Sequence, residues 1–332
     1  MRIDIFNPQH EQTTAIFSFV SFKYKRMFRG AGDFTLELNT FDDADSLQNG
    51  NYLIVGDDAY IIENRHKYDD NGKPKFELSG QHINSLLDRR VITTLTIDTT
   101  DTIEQQLYKV IRDNFINPTD AARVMPGITM APAKGIAQKA ASSYSLKNMD
   151  VLTALNQICG NYGLGWRLTY APEQGQFVFE VLQGRDLTDE VFFSDAYQNI
   201  AESEVYENTQ GYRNVLYTVS DEAGVKTYGQ GAGIERREMI AENVDAQDAP
   251  EKLADAAIQI SVEGMILNTD QFAYHEDWEL GDTVGYTDNA LGFSVNRPIL
   301  EIEETCTTNT VIDVVFGDRI PTIFEVLMKK VK

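Results

Sequence analysis

The chain has 332 residues, a formal net charge of −22, 42% hydrophobic residues and two cysteines. The apolar content excludes a disordered chain, and the two widely separated thiols, Cys159 and Cys306, exclude a disulfide framework. No apolar run reaches the roughly 20 residues that would span a bilayer, and the opening MRIDIFNPQHEQ lacks a signal-peptide layout, so the expectation is synthesis in a reducing cytoplasm.

The acid is one-sided. Residues 1–95 hold 14 Asp+Glu against 11 Lys+Arg, and residues 96–185 hold 8 against 8. Residues 186–332 hold 29 against 10, a balance of −19. Such a segment repels nucleic acid, whose binding depends on Lys and Arg contacts to phosphate. It suits a surface that must not adhere to DNA or anionic lipid, or else a solubility coat.

Residues 1–95 read as a β-barrel-like or sandwich unit. Ile16–Tyr24 is an aromatic strand, and Phe34, Leu36 and Leu38 alternate with Thr35 and Glu37. Two apolar runs, Tyr52–Val55 and Tyr60–Ile62, flank the turn Gly56-Asp57-Asp58-Ala59. Asp69-Asp70-Asn71-Gly72 is a second turn before the strand Lys75–Ser79, and a short helix lies around His82–Arg89.

Residues 96–185 change to an α+β pattern. Asp101 and Glu104 have capping-box spacing, and Ile103, Leu107, Val110/Ile111 and Phe115 follow at helical spacing. A second helix runs over about Asn148–Cys159 and ends at Gly160, Gly163 and Gly165. Strands Gly165–Tyr170 and Gln176–Leu182 come next.

Residues 186–318 read as a second, acidic β-barrel-like unit with one helix. The expected strands are Val215–Val219, Gln271–Tyr274, Thr283–Tyr286, Ile299–Glu303 and Val311–Phe316. Asp248, Pro250 and Glu251 start the helix, and Leu253, Ala256/Ala257 and Ile260 form its stripe. Residues 319–332 are a C-terminal tail in which Thr322–Lys332 has helical spacing. The fold class is therefore α+β, mainly β, with two small antiparallel β-units flanking an α+β unit. Trp166 and Trp278 sit in strand-like contexts that favour core packing.

Catalytic constellations are absent. His10, His66, His82 and His275 make no His-Glu-x-x-His pair, and there is no Cys-x-x-Cys, Gly-x-Ser-x-Gly or Walker loop. His66 and His82 have surface or capping positions. His275-Glu276-Asp277 would alternate faces on a strand and could not converge on an ion. No catalytic, cofactor or metal residue is assigned, and no cofactor is expected.

Nine segments occur in one order: RMFRGAGDFTLELNT, YIIENRHKY, LSGQHINSLLDRRVI, ARVMPGITMAPAKG, GLGWRL, GRDLTDEVFFSDAYQNI, GQGAGIERREMI, WELGDTV and VVFGDRIPTI. Together they resemble the ReqiPepy-type siphovirus tail proteins, tail hubs similar to the central baseplate hub of contractile phages. The resemblance implies a structural role: three subunits, each with two barrel-like domains, form a ring that adapts a six-fold tube to a three-fold tip and lets DNA pass. Implied partners are the chain itself, distal-tail or tail-tube proteins, and a tail-tip fibre or receptor-binding protein. Neither sequence-specific nucleic acid binding nor membrane insertion is implied, and the expected location is the virion tail tip. Relatives that extend C-terminally carry enzymatic or fibre-like regions, so any such activity is expected on another chain.

The acids gain a purpose under that resemblance, as a carboxylate-lined channel that does not bind DNA. Glu202, Glu204, Glu207, Glu276, Asp277 and Glu279 are the candidate lumen-facing residues. Two other readings stand beside the hub: a tail-tip cell-wall hydrolase, and a host carbohydrate-binding module with exposed aromatics. For assembly, the candidate apolar contacts are Ile16–Tyr24 and Thr322–Lys332.

Overall fold

The computed structural model describes residues 1–40, 44–220, 224–242, 249, 252–253, 256–267 and 271–317. The first unit contributes β1 (Ile3–Phe6), β2 (Gln12–Ile16), β3 (Ser21–Met27), β4 (Asp33–Leu38), β5 (Tyr52–Val55), β6 (Asp58–Asp70) and β7 (Lys73–His82). The middle unit holds β8 (Val91–Ile97), α1 (Ile103–Ile111), β9 (Ile128–Met130), β10 (Tyr144–Asp150), α2 (Val151–Asn161), β11 (Leu164–Ala171) and β12 (Gln176–Gln183). The acidic unit holds β13 (Phe192–Ser194), β14 (Ile200–Asn208), β15 (Val215–Ser220), β16 (Gly224–Gly229), β17 (Glu238–Glu242), β18 (Gln259–Ile266), β19 (Thr283–Asp288), β20 (Phe293–Cys306) and β21 (Thr310–Phe316).

The two β-units share one sheet. Its order runs β14-β18-β21-β20-β3-β4-β7-β6-β5-β1-β2, with β13 and β19 attached beside β20. The junction is the antiparallel ladder of β20 with β3, from Glu301 opposite Met27 to Cys306 opposite Phe22. The strand path stays open, so neither unit closes into a barrel among the described residues.

Eight consecutive strands of this sheet, β14 to β6, form an antiparallel wall. Its two halves repeat one topology. Numbered in chain order within each half, β14-β18-β21-β20 and β3-β4-β7-β6 both read first, second, fourth, third. The sequence shows no repeat, yet the strand order and directions recur.

Period-two alternation makes the wall two-faced. Phe22 and Tyr24 of β3, Phe34, Leu36 and Leu38 of β4, and Phe76 and Leu78 of β7 point to one buried core with Ile3, Ile5 and Leu53. Val262 and Ile266 of β18, Val314 and Phe316 of β21, and Ile302 of β20 point to a second core with Phe193, Trp278 and Tyr286. Burying these side chains is the main stabilising term, at about 1.5–3 kcal/mol for each large one. The middle unit has a third core, in which α1, α2 and the β11–β12 hairpin meet around Trp166, Phe115 and Phe179. Both tryptophans are fully buried.

Several sequence expectations shift. The Ile16–Tyr24 run is two elements: β2 ends at Ile16 and β3 begins at Ser21, which leaves Phe17 exposed on the connection. The α1 cap falls one residue later than expected. Thr102 and Gln105 form the capping box, while Glu104 is buried and accepts backbone N–H bonds from Lys134, Gly135 and Ile136 at 2.6–2.9 Å. Residues 271–274 make a turn rather than a strand, folded over Trp278. Ile260 belongs to β18. Most of the expected helix from Asp248, and the whole of Thr322–Lys332, lie outside the described residues.

Candidate functional site

The face of the wall opposite its cores is polar and acid-rich. In the acidic half, Glu204 of β14 lies directly across from Glu263 of β18, and Glu303 of β20 directly across from Asp313 of β21. With Glu202, Glu301 and Lys25 they line a depression of about 270 Å³. Directly opposed like charges cost stability in a sheet. Burial holds the Asp313 carboxyl above its ordinary range, and the neighbouring Glu303 and Glu202 add to the shift. Relief comes from the first half: Lys23 reaches Glu303 at 2.7 Å, and Lys25 lies 3.6 Å from Glu303 and 4.0 Å from Glu301.

The candidate acids separate. Glu202 and Glu204 join this face; Glu202 sits at a β-bulge with φ 51°. Glu207 is out of phase with Glu204. It lies opposite Ile260, whose side chain packs on the core, so it projects to the other side. Glu276, Asp277 and Glu279 lie in the turn before β19, away from the depression. There Asp277 accepts the Ala273 N–H at 2.7 Å and Glu279 pairs with His275 at 3.1 Å. Sequence reading missed Glu263, Glu301, Glu303 and Asp313. Alternation with core residues marks each as facing away from the core, but the ladders that group them are long-range.

Behind the wall, the three units meet at a seam with a cavity of about 950 Å³. Arg26 of β3 occupies its floor. Its guanidinium pairs with Glu304 of β20, lies 3.5 Å from Asp58 of β6, and sits under the rings of Tyr24 and Tyr274. Burial alone would raise the Asp58 carboxyl, but His82, whose Nε2 lies 3.8 Å away, and the Arg26 charge hold it below its ordinary value. His82 caps the following 3₁₀ turn by accepting the Asn84 N–H. Asn84 in turn donates to Gly30 O and accepts from Leu168 N, both at 2.7 Å, which ties the first unit to the middle one.

The most distinctive sequence motifs converge here. Phe28 donates its N–H to Leu300 of β20 and accepts from Trp166 of β11. Its ring fills a socket where Gly165 and Gly281 (φ 98°) leave no room for a Cβ. Gly184 packs against the Gly281 carbonyl, and Arg185 grips Asp282 through its backbone N–H and its guanidinium at 2.5–3.0 Å. The Phe-Arg-Gly, Gly-Leu-Gly-Trp, Gly-Arg-Asp and Leu-Gly-Asp segments are thus parts of one joint. In the Gly-rich segment further on, Arg236 bonds Glu238 and Tyr217, and Arg237 bonds Thr209 and lies over Tyr212, so both arginines are used within the chain.

Neither place assembles a nucleophile with a base, and no group of three or more His, Cys, Asp or Glu has metal-holding geometry among the described residues. What the arrangement offers is a rigid joint behind a carboxylate-rich surface.

Residues 2–318 match the family described as Siphovirus ReqiPepy6 Gp37-like protein. Among solved structures, the chain is similar to a tail protein from Neisseria meningitidis MC58 (14% identity, TM-score 0.62, covering 95% of this chain and 96% of that one). It is also similar to the 43 kDa tail protein of prophage MuSo2 from Shewanella oneidensis (11%, 0.62, 95% and 98%). A third is prophage tail protein gp18 from Listeria monocytogenes EGD-e (15%, 0.61, 100% and 98%). At these identities the structures share the fold. Comparison with curated proteins gives no match.

Proposed function

The chain belongs to the Siphovirus ReqiPepy6 Gp37-like family of tail proteins, and on that premise we propose that it is the subunit of a homotrimeric tail hub whose ring lets DNA pass. It is a phage-tail-type structural protein. The observation that carries the ring is the tandem wall: one four-strand topology occurs twice, side by side, in one continuous sheet. Because eight antiparallel strands alternate direction, the wall ends in edges of opposite sense, β14 and the outer part of β6. Copies set side by side continue the same alternation, and three of them give six equivalent half-walls to meet a six-fold tube.

The acid-rich face then lines the channel. Glu202 and Glu204, together with Glu263, Glu301, Glu303 and Asp313, repel passing phosphate over a screening length of about 8 Å at physiological salt. Glu276, Asp277 and Glu279 stand outside this lining, and Glu207 lies on its reverse side. The ring joins a distal-tail or tube protein to the tip, and its place is the virion after synthesis in the host cytoplasm.

The hub is a scaffold and no enzyme, a reading supported by the seam, where the charged groups are spent in pairs. The carbohydrate-binding alternative loses its best platform, since both tryptophans are core residues. The test is mass by light scattering and negative-stain imaging, alone and with a tube or distal-tail partner. A ring of three is expected, and a monomer under every condition defeats the proposal. Reproducible cell-wall hydrolysis, abolished by one carboxylate substitution, would establish the enzymatic reading instead.

A further inference from the structure

We infer that neighbouring copies join head to tail, β14 of one beside the outer half of β6 of the next, with Glu207 facing the cations Arg65 and Lys67. This rests on the ring reading and supplies its contact.

The template is inside the chain. In the repeated order, the β20–β3 ladder joins the third strand of one half to the first strand of the other. The equivalent joint between copies sets β6, a third strand, beside β14, a first strand. Within the chain that joint carries an ion pair on its core side, Arg26 with Glu304.

On their core sides the outer edges hold complementary charges, Arg65 and Lys67 (with Asp69 further along) on β6 and Glu207 on β14. Arg65 lies opposite Leu78 and Lys67 opposite Phe76, so both project to the core side of β6, and both are exposed. Glu207 projects to the core side of β14 and is also exposed. Arg65 is positioned in advance by bonds to Gln48 and Ala44 and by the Phe76 ring beneath it.

The wrong pairing is disfavoured. β14 carries three acids and no base, so two β14 edges would align six carboxylates. Each edge also has a bulge, between Ala201 and Glu204 and between Ile62 and Asn64, which limits indiscriminate strand addition. The core-side contact of Glu207 with Arg65 and Lys67 attracts while two β14 edges repel, which favours a closed ring over a two-fold dimer.

The test uses sedimentation velocity on the full chain, alone and with a tube or distal-tail partner, at low and high salt, with circular dichroism as a folding control. Glu207→Lys and Lys67→Glu should each weaken association about tenfold, and their combination should recover most of the loss. Glu207→Gln, a milder change, should fall between, and high salt should weaken the wild type. If the wild type forms trimers that neither reversal affects, or the double variant is no better than the singles, this contact is wrong while the ring survives. A two-fold dimer also overturns it. A wild type that stays monomeric throughout defeats the ring and this contact together.

Discussion

The two halves of the wall share strand order, direction and an apolar core side, yet they treat charge in opposite ways. In the first half, Glu37 lies opposite Glu77, and Lys75 answers it with a 2.6 Å contact to Glu37. In the acidic half, Glu204 opposes Glu263 and Glu303 opposes Asp313, and the lysines that reach this region come from the neighbouring β3. The cores fix the fold in both halves. The polar face is free to vary, and in one half it has been loaded with like charges that the fold does not need. Stability and charge are therefore separable here, and each can be perturbed alone.

The largest effect should come from the joint that makes the halves one body. Phe28→Ala empties the socket between the three units, and the expected loss is about 3–5 kcal/mol. Gly184→Ala tests the same joint from the other side, because its Cβ would collide with the Gly281 carbonyl. Calorimetry on the wild type should show one cooperative transition for both halves. Two transitions, with Phe28→Ala lowering one alone, would mean that the halves fold separately and that the continuous sheet is incidental.

That joint also marks where sequence reading stopped. The alternation in β4, the Asn71-Gly72 turn, the α1 stripe and the β11–β12 hairpin were legible because each is set by neighbours within a few residues. The β20–β3 ladder was not, since it pairs residues about 280 positions apart, and nothing local encodes such a partner. β14 was missed because its alternation is interrupted by a bulge at Glu202. The same limit applied to the acids. Glu202 and Glu204 were found by charge density, but Glu263 and Asp313 stand singly on their strands and gain meaning when the ladder brings them together. The Phe-Arg-Gly, Gly-Arg-Asp and Leu-Gly-Asp segments were noticed as motifs, and their shared cause, one aromatic ring in a glycine socket, is three-dimensional.

Next in size is the buried pair that crosses the joint. Arg26→Met should cost about 3 kcal/mol, because it leaves Asp58 and Glu304 largely buried without their cation. The pH dependence separates this from a packing loss. Asp58 is held below its ordinary value in the fold, so its contribution is present above the unfolded carboxylate pKa and is lost as pH falls through the folded one. Without Arg26 that depression shrinks, because His82 alone remains close to the carboxylate. The deficit of the variant should be greatest near neutral pH and shrink in acid, as read from Tm at several pH values. A deficit constant with pH would assign the loss to packing alone.

The smallest effects on stability, and the largest on function, belong to the face itself. Removing one member of an opposed acid pair, by Glu204→Gln or Asp313→Asn, should stabilise the fold by about 0.2–1 kcal/mol. Glu37→Gln in the other half should do the reverse by a similar amount, since it removes the 2.6 Å ion pair with Lys75. Asp313 also gives a pH signature. Its carboxyl is held above the ordinary range, so its ionisation penalises the folded state at neutral pH and the penalty lifts as pH falls through the folded pKa. In Asp313→Asn that acid-side gain should vanish from the stability profile. The same substitutions then decide what the charge is for. If the face lines a channel, neutralising Glu202, Glu204, Glu263 and Asp313 together in an assembled particle should slow DNA release while particles form normally, whereas neutralising Glu276, Asp277 and Glu279 should leave release unchanged. Equal release from both particles would make the acids a solubility coat, because a fold that tolerates their loss and a channel that ignores it leave like-charge crowding without a role in transport.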